Sequence, residues 1–149
     1  MGRSLRGDLL DTVIVTGCGC PGTWGTLEAL KGYRVVATDM DSGAVGRYLA
    51  RTFYQVPPAT NKSYLWDMAR IVKQEGAVCV VPQTEAEVLA LASKSIGVPV
   101  IASSQDSILA AQDKYLFRLL LESDPKLYEY VPILGLATSA GDFYRIAEA

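Results

Sequence analysis

Thr12-Val13-Ile14-Val15-Thr16-Gly17-Cys18-Gly19-Cys20-Pro21-Gly22 is the stretch whose reading decides the fold. Its first five residues form a short β-branched run of the kind found in a strand buried on both faces. Gly17, Gly19 and Gly22 then spell G-x-G-x-x-G, directly before a helix predicted from Thr23 to Lys31 and stopped by Gly32. A second predicted strand, Arg34 to Asp39, ends on an acid about 20 residues further on, where a dinucleotide fingerprint wants one for the ribose. The backbone N–H groups at such a helix start are unsatisfied, so a phosphate or a carboxylate suits the turn. The same glycines also allow close strand–helix packing with no ligand at all, and the two readings stay open.

Working outward, predicted helices and strands alternate. Ala44 to Arg51 reads as a helix, Tyr54 to Val56 as a brief strand closed by Pro57-Pro58, and Lys62 to Glu75 as a longer helix capped by Asn61. Val78 to Pro82 is a buried strand. Its helix starts at a capping box, Thr84-Glu85-Ala86-Glu87, and runs to about Ser95. Val98 to Ala102 is the next expected strand, with helices after Ser104 and Asp113. Leu127 to Ala137 is a further candidate strand, and Ser139 can cap a last helix. This alternation implies βαβ units, hence an α/β fold: a Rossmann-like open parallel sheet with helices on both faces. The expected boundaries are a domain over 1–112 and the start of a second over 113–149.

Composition narrows the function. The 149 residues are half hydrophobic and one-fifth charged, with a formal charge of -2, ordinary for a globular chain. No stretch of Lys and Arg is dense enough to track phosphates, so no nucleic-acid partner is expected. No apolar run approaches the roughly 20 residues of a membrane span, and the N-terminus lacks the apolar core of a secretory signal. The three cysteines are odd in number and two lie in a tight turn, which argues against a disulfide framework and for the reducing cytoplasm. Histidine is absent, which removes His-based acid–base catalysis, the Ser-His-Asp triad and the commonest metal ligand. Cys18 and Cys20 are spaced C-x-C without further ligands nearby, so no metal site is expected. A Walker A loop is excluded because Thr23 and Trp24 follow Gly22.

Asp39 and Asp41 can bind a ribose or a substrate amine, or can cap the helix expected near Ser42. Glu85 and Glu87 follow a strand end, where open α/β sheets place ligands. Glu87 fits the capping box, which leaves Glu85 the freer carboxylate.

The succession VIVTGCGCPG (13–22), VVATDMDSGAVGRYLARTFYQVPPA (35–59), VVPQTEAEVLALA (80–92) and IASSQDSILAAQDKYLFRLLLES (101–123) resembles the N-terminal region of ATP-grasp ligases, in the flavour of the carbamoyl-phosphate-synthase-like group. The resemblance implies a pre-ATP-grasp domain that helps bind a small-molecule carboxylate substrate. Gly17, Gly19, Gly22, Asp39 and Glu85 would border that substrate or anion site, and Lys114 would reach the nucleotide phosphates as a point charge. It further implies ATP and Mg²⁺ in the complete enzyme, which converts a carboxylate to an acyl phosphate attacked by an amine or related nucleophile.

The sequence stops at Ala149, before the lysine-bearing strands, the glycine loop and the Mg²⁺-binding residues of that family. The expectation is therefore a truncated chain or a split gene product with no catalytic residues of its own and no tight cofactor binding. The ATP-grasp lobes would be supplied in cis or by a partner chain, and a homodimer is compatible with this. An exposed apolar patch is expected around residues 113 to 149. The alternatives are an NAD(P)-binding Rossmann domain of an oxidoreductase and a nucleotide-sensing regulatory domain.

Overall fold

The structure, a computed structural model, describes residues 10–131 and 137–147. It divides into two compact units, Met1–Ser103 and Ser104–Ala149. That division falls ahead of residue 112, because the helix after Ser104 makes its contacts with the helix after Asp113.

In the first unit the order is β1 (Thr12–Val15), α1 (Thr23–Ala29), β2 (Arg34–Asp39), α2 (Gly46–Leu49), β3 (Thr52–Gln55), α3 (Tyr64–Glu75), β4 (Ala77–Val81) and α4 (Glu85–Ala92). The four strands form a parallel sheet in the order β3-β2-β1-β4. All four residues of β1 are buried, as its β-branched run predicts for a central strand. Pleating sends alternate residues of β2 to opposite faces. Val36 joins a cluster with Ile14, Val80, Tyr64, Met68, Ile71 and Leu91, whereas Ala37 joins Cys18 and Ala44 beside Phe53. The first cluster belongs to the α3–α4 side and is the main core; the second is small.

Several elements differ from expectation in extent. The helix expected over 44–51 shortens to α2, and the brief strand lies at Thr52–Gln55. The expected strand at 98–102 reduces to a single parallel bridge, Val80 to Val100, with Ile101 N–H donating to Val80 O and Val80 N–H to Pro99 O. Pro99 has no N–H to extend the ladder, and Gly97 sits at φ +95°. The strand order reverses at β1, with β2 on one side and β4 on the other. That is the topological switch point, where open sheets of this kind form a crevice at the strands' carboxyl ends.

At the opposite edge, Arg34 donates to Glu75 Oε2 at 2.6 Å and to Thr12 Oγ1 at 3.3 Å, and the Tyr54 hydroxyl donates to Glu75 Oε1. These bonds tie the end of α3 to β1, β2 and β3. The Tyr54 hydrogen bond, followed by Arg34, holds the Glu75 carboxyl below its ordinary value.

The second unit contains α5 (Gln105–Gln112), α6 (Lys114–Glu122), a 3-10 turn (Tyr128–Tyr130) and α7 (Ala140–Ala147). Ser104 and Asp113 cap α5 and α6 as the sequence suggests, and Ser139 Oγ accepts from Asp142 N–H at 3.1 Å. The candidate strand from Leu127 begins instead as the 3-10 turn, and its residues 132–136 lie outside the described residues.

Candidate functional site

The glycine turn occupies the switch point at the carboxyl end of β1. Gly17 takes φ +57°, a left-handed conformation that disfavours any Cβ. A Cβ there would also lie 2.5 Å from Glu87 Oε2 and 2.7 Å from Thr84 Cγ2. The turn is closed by Cys20 N–H to Gly17 O and Thr23 N–H to Cys20 O, both at 3.0 Å, and anchored to β2 by Cys18 N–H to Thr38 O at 3.2 Å. Gly22 is the N-cap of α1 and faces open space.

Asp39 ends β2 and is buried. Its Oδ2 accepts from Gly19 N–H at 2.7 Å and its Oδ1 from Asp41 N–H at 2.8 Å. The acid at the expected position thus shapes the turn itself, and the Gly19 N–H points at a carboxylate the protein already supplies. Asp41 Oδ1 accepts from Gly43 N–H at 2.8 Å, a local turn that leads into α2.

Two further residues complete the arrangement: Gln83, which the sequence reading passed over, and Glu87, which it placed in the capping box. Gln83, just after β4, donates from Nε2 to Thr16 O at 3.3 Å and Thr23 Oγ1 at 3.1 Å, while its Oε1 accepts from Thr26 Oγ1 at 3.0 Å. One amide side chain therefore joins the β4–α4 connection to both ends of the glycine turn. Glu87 is buried beneath that turn. Thr84 Oγ1 accepts from Glu87 N–H and donates to Glu87 Oε2 at 2.8 Å, so only half of a capping box forms and the carboxylate turns inward. Glu85 is exposed, with no side-chain partner among the described residues.

The local field is negative. Burial, then Asp39 and Glu87, push the Cys18 thiol up to about 12, and burial with Glu87 and Asp39 raises Cys20. Such thiols stay protonated and are poor nucleophiles or ligands. All three cysteines are free. Burial first, and Glu87 second, also drive the Tyr64 phenol well above its ordinary value. The Tyr64 hydroxyl, Thr16 Oγ1 and Thr38 Oγ1 are buried without a partner at hydrogen-bonding geometry.

Lys114 belongs to the second unit. It is the first residue of α6, exposed, with Nζ donating to Ala111 O at 3.3 Å. A separate groove of about 530 Å³ lies on the first unit, lined by Trp24, Leu27, Leu30, Val35, Leu49 and Arg51 among others, and contains none of the expected site residues. Among the described residues, no group of three or more acidic or Cys side chains is placed to hold a metal ion, and no helix is long and apolar enough to cross a membrane.

A 3-2-1-4 parallel sheet, with a glycine turn flanked by Asp39 and Glu87 at its switch point, defines a Rossmann-like α/β domain. The sequence profile of the PylC-like N-terminal domain family matches residues 25–101, and the chain belongs to that family. Solved structures agree on the fold. N5-carboxyaminoimidazole ribonucleotide synthetase from Thermotoga maritima is 17% identical with a TM-score of 0.60, over 91% of this chain and 36% of that one. The biotin carboxylase domain of a single-chain bacterial carboxylase is 20% identical at 0.57, over 93% and 34%. The biotin carboxylase domain of Hydrogenobacter thermophilus 2-oxoglutarate carboxylase, solved with MgADP, ADP and bicarbonate, is 18% identical at 0.58, over 95% and 33%. These neighbours are ATP-grasp ligases, in line with the pre-ATP-grasp N-terminal domain that the motif order resembles. This chain spans about a third of their length. No curated protein sequence matches it.

Proposed function

We propose that this chain is the substrate-side N-terminal domain of an ATP-dependent carboxylate–amine ligase, or a related ligase, that works through an acyl phosphate. The observation that carries this reading is a pairing of extents: nearly all of this chain matches the ATP-grasp neighbours, but only about a third of each neighbour is matched. Family membership over residues 25–101 supports it independently.

In this reading the turn from Gly17 to Gly22, with Asp39 and Glu85, forms one wall of the substrate crevice at the switch point. Lys114 approaches the nucleotide phosphates once the ATP-grasp lobes are in place, in cis or on a partner chain. ATP and Mg²⁺ act in that complete assembly, in the cytoplasm, and the domain's own share of catalysis is positioning.

The test is reconstitution. The chain is assayed for ADP release alone, and then with ATP-grasp lobes supplied in cis or as a partner chain, with mixtures of carboxylates and amines. No turnover alone, and carboxylate-dependent ADP release when joined, is the expected pair of results. Binding of NAD⁺ or NADH at micromolar concentration by the isolated chain would overturn the ligase reading in favour of a dinucleotide domain.

A further inference from the structure

Both ends of the glycine turn are held from outside the turn. Thr16, which leads into it, and Thr23, which follows it as the first residue of α1, are fully buried. The Thr16 carbonyl and the Thr23 hydroxyl each accept a hydrogen bond from one group, Gln83 Nε2, at 3.3 Å and 3.1 Å. Gln83 Oε1 accepts from the Thr26 hydroxyl, one turn along α1, at 3.0 Å; that hydroxyl also faces Gly22 O at 3.3 Å. A buried polar group left without its partner costs more than an ordinary hydrogen bond supplies, so both ends of the turn depend on this amide.

A primary amide of this length meets both demands at once, because the Thr16 carbonyl needs a donor and the Thr26 hydroxyl an acceptor. A carboxylate lacks the donor, a thioether lacks the donor and is a weak acceptor, and asparagine falls one methylene short. The half-buried Gln83 side chain also starts from fixed ground. Val81 ends β4, Pro82 locks its own φ, and Thr84 caps α4 by accepting from Glu87 N–H at 3.3 Å. The amide thus crosses from the β4–α4 connection, next to Glu85, to the turn at the end of β1.

We propose that Gln83 is a positioning residue for the substrate wall: its amide fixes the turn from Gly17 to Gly22 against the β4–α4 connection, and so sets the spacing between the turn and Glu85 that a substrate meets. The proposal rests on reading this edge as a substrate wall. It adds a residue that acts through the turn.

The experiment compares the full chain with Gln83→Met, which keeps the length and loses the amide, and Gln83→Glu, which keeps the acceptor and loses the donor. Amide hydrogen exchange is followed at Cys18, Gly19 and Cys20, whose N–H groups are bonded within or beside the turn, and at Met68 and Ile71 in the core. Both variants are expected to speed exchange at the turn about tenfold or more and to leave the core amides within about twofold. Iodoacetamide should modify Cys20 faster in the variants, and Cys79, outside the turn, at an unchanged rate. Thr26→Val, which removes only the hydroxyl that donates to Oε1, should give the same pattern at smaller size and decides the matter if the Gln83 variants fail to fold. With ATP-grasp lobes supplied, Gln83→Met should raise KM about tenfold for the carboxylate that supports ADP release and leave KM for ATP unchanged. Unaltered exchange at the turn, or equal acceleration at turn and core, would overturn the positioning role. An unaltered KM for the carboxylate would overturn its bearing on substrate. Absence of ADP release with the unaltered chain would instead remove the ligase reading, and exchange at the turn would still decide whether Gln83 fixes it.

Discussion

The two units of this chain treat their apolar residues in opposite ways. The first buries Ile14, Val36, Met68, Ile71 and Val80 completely, each at 0% exposure, between sheet and helices. In the second, no described residue is buried, and Leu116, Leu120, Tyr130, Phe143 and Tyr144 are among its exposed apolar side chains. Side-chain N-caps occur in both units, Thr84 on α4 and Ser104 and Asp113 on α5 and α6, so the contrast does not come from these local signals. It comes from what lies opposite each apolar face. The short helices described in the second unit leave apolar side chains exposed, as expected around residues 113 to 149.

The largest effect should come from cutting into the one unit that has a core. Ile71→Ala is expected to cost about 3 kcal/mol in urea unfolding, whereas Leu120→Ala, at a side chain 54% exposed, should stay within about 0.5 kcal/mol. Trp24 and Trp66, the chain's two tryptophans, both lie in the first unit, so their fluorescence reports that transition alone. Equal costs at the two positions would break the comparison, because they would mean that the second unit has a core of its own.

Next in size is the turn. Gly17→Ala should destabilise by about 2 kcal/mol, since alanine is disfavoured at φ +57° and would meet Glu87 and Thr84. Gly22→Ala, with open space around it, should leave the thermal midpoint nearly unchanged. A similar loss at both would mean that the two glycines are under the same constraint.

A smaller effect tests the far edge of the sheet. The folded Glu75 carboxyl is held below its ordinary value of 4.5 by Tyr54 and Arg34, so its contribution is present above that value and fades as pH falls through the lower, folded value. Glu75→Gln should therefore lose about 1 kcal/mol near neutrality, and the two proteins should converge in acid. A gap that persists at low pH would show that the residue acts through packing instead of charge.

The smallest effect belongs to the second unit. Asp142 lies below its ordinary 3.8 because the Ser139 and Thr138 hydroxyls donate to it at the start of α7. Its support for that helix is present above 3.8 and lost as pH falls below it. Asp142→Asn should trim the far-ultraviolet helical signal slightly and leave the tryptophan-reported transition where it was. A shift of that transition would sharpen the comparison into energetic coupling between the units.

Much of the fold was legible because local rules and tertiary context agreed. Thr12–Val15, Arg34–Asp39 and the helix ending at Gly76 fall where periodicity and punctuation place them. Val98 to Ala102 was over-read, since a β-branched run signals burial but cannot say how many ladder bonds Pro99 will forfeit. The site was legible in position and less so in chemistry. The capping box set Glu87 apart from Glu85 but not the direction of its carboxylate: Glu85 faces solvent while Glu87 turns under Gly17. Gln83 left no signal beyond being a polar residue directly after a strand.

Sequence alone determined the glycine turn, the acid that ends β2 and the alternation that forces a parallel sheet, because each depends on backbone sterics and the spacing of neighbours in the chain. Only the tertiary structure decided that the turn is lined by carboxylates. Gly17 and Glu87 are distant along the chain and meet because β1 and β4 are adjacent across the switch point, so the charge that reaches the turn is set by strand order and not by the turn's own residues.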